Sequence, residues 1–120
     1  MRPLALLLLV GACSSPGELS GYIGPKMLAK VEAGIASGER EFSINRTDGG
    51  EVFAALVIAG KLNEADATLT INGRCASACV ILAKAVEHRI VTQEAEFWEH
   101  EAYVRYKPGP ASNLRKVSLP

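Results

Sequence analysis

The sequence predicts an α/β domain built on a mostly parallel sheet. Apolar stretches of helical spacing alternate with short stretches of period two, and Gly-containing turns separate them. The chain is 120 residues long, enough for one modest core.

Residues 25–37 read as a helix, with Met27, Leu28, Val31 and Ile35 recurring at helical spacing. Pro25 suits its start and Gly38 its stop. Residues 41–46 read as a strand with Phe42 and Ile44 on one face, followed by the turn Thr47-Asp48-Gly49-Gly50. Residues 51–62 are helical in pattern and apolar almost all round (Val52, Phe53, Leu56, Val57, Ile58, Leu62), which predicts a helix buried against the sheet. Residues 67–72 alternate as a strand closed by an Asn72-Gly73 turn, 75–86 read as a second apolar helix, and 88–92 and 95–98 as short strands. Strand, helix, strand, helix, strand implies right-handed crossovers. Beyond Tyr106, Pro108-Gly109-Pro110 breaks any element, so residues 107–120 read as a loose tail.

Thirteen basic residues balance thirteen acidic ones. Zero net charge without a one-sign block argues against nucleic acid, or an anionic membrane surface, as the main partner. The aromatic content of 6% leaves little to stack on bases.

The first residues differ in character. Met1-Arg2 gives a positive start and Leu4 to Val10 is unbroken apolar, too short for a spanning helix of ~20 residues and suited to a secretory signal. Val10-Gly11-Ala12-Cys13 resembles the lipobox of bacterial lipoproteins, in which the cysteine is lipidated and becomes the mature N-terminus; a plain signal peptide with an incidental Cys13 is the alternative. The expected organisation is a signal peptide over 1–12, a flexible tether over 13–24, the α/β domain over 25–106 and the tail. A periplasmic protein held to the membrane by its lipid alone would follow. In an oxidising compartment the remaining pair, Cys75 and Cys79, is a disulfide candidate. Spacing of four is awkward inside a regular helix and feasible if Cys75 lies in the turn before it, while two buried thiols remain the other reading. Cys-x3-Cys is not a zinc spacing, and no metal is expected.

Two turns follow successive strands and open successive helices, at the sheet edge where open α/β sheets bind ligands. Gly49-Gly50 lets backbone approach a ligand, and amides at such a helix start can stabilise an oxyanion. The second turn delivers Ser77 to a helix mouth with the Ala78 amide beside it. By spacing alone, a Gly-Gly turn and an N-cap serine account for both.

Ile44-Asn45-Arg46-Thr47-Asp48-Gly49-Gly50 resembles the strand and Gly-Gly turn of the Clp protease proteolytic subunit, and Gly73-Arg74-Cys75-Ala76-Ser77-Ala78 resembles its nucleophile segment. The family's catalytic His follows after a helix and a short strand, where Phe97-Trp98-Glu99-His100 stands here. The ordered trio covers about half the chain. The Cys-Ala-Ser-Ala-Cys variant is similar to periplasmic relatives within the Clp and crotonase superfamily.

The resemblance implies a Clp/crotonase-like ββα-type core that is short at its C-terminal side. It implies Ser77 as nucleophile, His100 as general base, and Gly50 or Gly49 with Ala78 as oxyanion donors. His88, before the third strand, is expected on the surface. In the family the C-terminal part supplies further sheet and the helices between subunits. With that part short, a sheet face or edge is left to cover, so a homo-oligomer is expected, with a peptide or protein as substrate. No cofactor is expected, since no adenine-binding signature is legible. The family's triad Asp has no counterpart here: the last Asp is Asp66. Glu99 and Glu101 flank His100 and would point to the opposite face of an extended segment. Lys84 lies ~10 Å along a helix from Ser77, too far for a Ser-Lys dyad. The sequence therefore supports an exported serine hydrolase cleaving peptide or acyl bonds. Its alternatives are a non-catalytic lipoprotein using the fold for binding or assembly, and a truncated fragment with the same fold.

Overall fold

The computed structural model describes residues 17–100 and 114–119. The expected signal peptide and Cys13 lie outside those residues. In chain order the elements are α1 (Pro25–Ala36), β1 (Glu41–Thr47), α2 (Val52–Glu64), β2 (Thr68–Ala76), α3 (Ala78–Ala85), β3 (His88–Val91), β4 (Glu96–His100) and β5 (Leu114–Val117).

α1 starts at Pro25, whose fixed φ suits the first helical position. It ends in a Schellman motif: the Gly38 amide donates to the Ile35 carbonyl and the Glu39 amide to that of Gly34. Met27, Val31 and Gly34 form its buried stripe.

β1 pairs with β2 in parallel, and β2 is long enough to serve two further strands. Its first half pairs with β3 through Thr68 to Ile71, and its second half pairs with β4 through Arg74 to Ala76, both parallel. β5 adds antiparallel to β4. The sheet is thus mixed α/β in context, mostly parallel, and forked along β2. Burial alternates along β1 and β2: Phe42, Ile44, Leu69 and Ile71 are buried, and the residues between them are not. Ile58 and Leu62 of α2, Leu82 of α3 and Val31 of α1 complete the core.

Several local expectations change. Residues 17–24, expected as tether, run beside β1 instead. The Leu19 amide donates to Ser43, Gly21 to Arg46 and Ile23 to Gly49, while Leu19 and Ile23 are core residues. Two apolar side chains, Leu19 and Ile23, two and six residues past the Ser15-Pro16-Gly17 stretch, dock the segment and cover the β1 edge. Residues 114–117, expected as tail, form β5. The Asn72-Gly73 pair is a β-bulge inside β2, since the register steps two residues along β1 and three along β2 there. Gly73 fits because a β-carbon would lie 2.1 Å from the Asn45 carbonyl oxygen. The next helix accordingly begins at Ala78 rather than at Cys75, which stays in the strand. Finally, α2 buries only Ala54, Ala55, Ile58, Ala59 and Leu62, and its opposite side leaves Val52, Phe53 and Leu56 exposed.

Candidate active site

The site sits where β1, β2 and β4 end together. β2 delivers Ser77 into a sharp strand-to-helix turn with φ 58 and ψ −119, a sparsely populated conformation for any residue but glycine. Such a turn lifts a serine side chain clear of the sheet edge, the device of a nucleophile elbow. Two main-chain bonds hold it: the Ser77 amide donates to the Trp98 carbonyl at 2.8 Å, and the Val80 amide to the Ser77 carbonyl at 2.9 Å.

The first of these bonds also fixes the histidine. Ala76 is paired with Trp98, and His100 lies two residues farther along β4, on the same side as Trp98. His100 Nε2 is 3.3 Å from Ser77 Oγ. The structure thus brings together the two side chains that the sequence places 23 residues apart. The pair is open to solvent at His100, and Ser77 is half-buried.

The Gly-Gly turn closes the other side. Gly49 has φ +116, and a β-carbon on it would lie 2.7 Å from Ser77 Cβ. Its amide donates to Thr47 Oγ1, a buried hydroxyl, at 3.1 Å. Of the two glycines, Gly50 is therefore the one whose amide no described residue accepts from. Ile23 bonds to both neighbours of Gly50, donating to the Gly49 carbonyl and accepting from the Glu51 amide. In a parallel bridge this turns the Gly50 N–H away from Ile23. Ala78 is the first residue of α3, where an amide has no intrahelical acceptor. The site therefore holds a hydroxyl, an imidazole and two unspent amides.

Cys75 and Cys79 form a disulfide that straddles Ser77. Arg74 ties the two turns together: its Nε donates to Asp48 Oδ1 at 2.8 Å, and its guanidinium lies 5.2 Å from the centre of the Trp98 ring. A concavity of about 350 Å³ lined by Gly21, Tyr22, Arg46 to Gly50 adjoins the Gly-Gly turn.

Among the described residues no carboxylate hydrogen-bonds to His100. Glu99 reaches instead toward Lys84 and Arg115, each at 4.0 Å, and Glu96 accepts from Trp98 Nε1. Lys84 is thereby engaged away from Ser77. His88 is exposed and paired with Asp66 at 2.8 Å, outside the site. Sequence reasoning missed Ile23, Thr47, Arg74 and the Trp98 carbonyl. Only Thr47 carried a local signal, a hydroxyl two residues before a glycine amide. The others act through main chain or across strands.

Neither the profiles of known families nor any curated protein sequence matches the chain. Solved structures do. A ClpP1 mutant from Listeria monocytogenes is similar with a TM-score of 0.56 and 19% identity, over 72% of this chain and 57% of that one. The fold is Clp-protease-like. The ClpP protease catalytic domain from Plasmodium falciparum agrees, with a TM-score of 0.53 and 15% identity, over 72% of this chain and 54% of that one. The chain spans a little over half the length of these Clp protease structures. At such identities the likeness is one of fold, and the Clp-like fold is what brings the ends of β1, β2 and β4 to one edge.

Proposed function

We propose that this chain is a Clp-protease-like serine hydrolase that cleaves peptide or acyl bonds through Ser77 and His100. The observation that carries this is the 3.3 Å approach of Ser77 Oγ to His100 Nε2 on a strained strand-to-helix turn. A serine serving only as a helix cap would not need that conformation.

In the proposed mechanism Ser77 Oγ attacks the carbonyl carbon as its proton passes to His100 Nε2. The Gly50 and Ala78 amides stabilise the oxyanion. The imidazolium returns the proton to the leaving group, and water, deprotonated by the same nitrogen, releases the acyl group from Ser77. The disulfide among buried residues favours an oxidising compartment, in keeping with export and a lipid anchor at Cys13. The exposed apolar side of α2 favours self-association into a homo-oligomer.

The second reading is a binding or assembly module with the same fold. It is favoured by the lack of a carboxylate on His100 among the described residues, since loss of an orienting acid can cost ~10⁴ in rate. Pre-steady-state hydrolysis of a p-nitrophenyl ester and a fluorogenic peptide separates the two. A burst of one product per chain, absent in Ser77→Ala, is the expected result. Hydrolysis of neither, or an unchanged burst in Ser77→Ala, rejects the enzyme reading.

A further inference from the structure

Ser77 occupies the position just before a helix, from which a serine ordinarily caps it. In that role the backbone is extended and the hydroxyl accepts from the second or third helical amide. Ser77 does neither. Its φ is 58, its side chain makes no cap bond, and its Oγ lies by His100. Two arrangements of one turn therefore compete. In the first the backbone is relaxed and the hydroxyl is folded onto its own helix. In the second the backbone is strained and the hydroxyl faces the imidazole.

The Cys75–Cys79 bridge joins the residue two before Ser77 to the residue two after it, with Cα atoms 5.2 Å apart. Each end is anchored. Cys75 is paired on both sides within the sheet, to Thr47 and to Phe97, and Cys79 lies in the first turn of α3. Both cysteines are fully buried. Rotating Ser77 φ from +58 to the negative values of a cap would swing the α3 end of the turn relative to the strand end, which the bridge opposes. Burial of both sulfurs from solvent suits a fixed brace rather than a sensor.

We infer that the Cys75–Cys79 disulfide is a positioning device that holds Ser77 in the strained arrangement facing His100. Its consequence for catalysis rests on the reading of Ser77 as nucleophile, but its effect on the Ser77 backbone does not. The test compares the full wild-type chain with Cys75→Ala/Cys79→Ala, and with Cys75→Val/Cys79→Ala, which refills part of the lost volume. Folding of each is checked by circular dichroism. One readout is the rate of fluorophosphonate labelling at Ser77. The other is geometric: the Ser77 Cα and Cβ NMR shifts, with hydrogen exchange of the amides at positions 79 and 80.

In folded variants the labelling rate is expected to fall about tenfold, the scale of a released positive-φ strain. The Ser77 shifts should move to extended-backbone values and one of the two amides should exchange more slowly. Unchanged Ser77 shifts overturn the inference whatever the labelling does, and so does an unchanged labelling rate in a protein whose wild type labels. A wild type that never labels removes the nucleophile reading and leaves the shifts to decide the brace.

Discussion

Gly49 and Ser77 are packed so closely that a β-carbon on Gly49 would lie 2.7 Å from Ser77 Cβ and 3.2 Å from its Oγ. The two turns of the site are therefore one object. The end of β1 cannot change without moving the hydroxyl carried by β2. Gly49→Ala adds this clash to a φ of +116 that an alanine rarely adopts. It is expected to destabilise by about 1–3 kcal/mol, read as a lower urea midpoint, and to abolish labelling of Ser77 by a fluorophosphonate.

His100 is an exposed residue at a strand end, so its truncation should barely affect folding. His100→Ala is expected to keep the melting temperature within a few degrees while cutting the ester hydrolysis rate by about 10²–10⁴. His88→Ala is the control. Its surface pair with Asp66 contributes roughly 0–1 kcal/mol, and hydrolysis should be unchanged.

The segment before α1 belongs to the domain. Leu19 and Ile23 are buried, and Ile23 holds both neighbours of Gly50. Ile23→Ala should cost about 2–5 kcal/mol of stability in chemical denaturation. Because the Gly50 amide is oriented by the same bridge, hydrolysis by the folded fraction should also fall.

Gly73 marks the bulge that lets β2 change partners. A β-carbon there would meet the Asn45 carbonyl oxygen at 2.1 Å, a main-chain atom that cannot swing aside. Gly73→Ala is expected to cost about 1–3 kcal/mol, measured as a shift in thermal midpoint.

Much of this architecture is legible in the amino-acid sequence. α1 carried a proline start, a glycine stop and a clean apolar stripe, and its boundaries agree with the expectation to within a residue. The pairing of Ser77 with His100 was legible as an order of motifs. What was not legible depends on contacts between distant residues. Asn72-Gly73 reads locally as a turn, and only the parallel neighbour at Asn45 makes it a bulge. Leu19 and Ile23 sit in a stretch too short to show periodicity, so their docking on β1 could not be foreseen. Along α2 the uniform apolar pattern conceals which side is buried; that side carries the small residues Ala54, Ala55 and Ala59 with Ile58 and Leu62. The strain at Ser77 is a backbone property that no side-chain pattern records.

The most direct measurement is mass-spectrometric mapping of a fluorophosphonate adduct on the folded, oxidised chain, in wild type, Ser77→Ala and His100→Ala. A single adduct on Ser77 in the wild type, absent in Ser77→Ala and formed at least about a hundredfold more slowly in His100→Ala, is the predicted result. No adduct on Ser77 in the folded wild type, or an equal rate in His100→Ala, would contradict a nucleophile activated by that histidine.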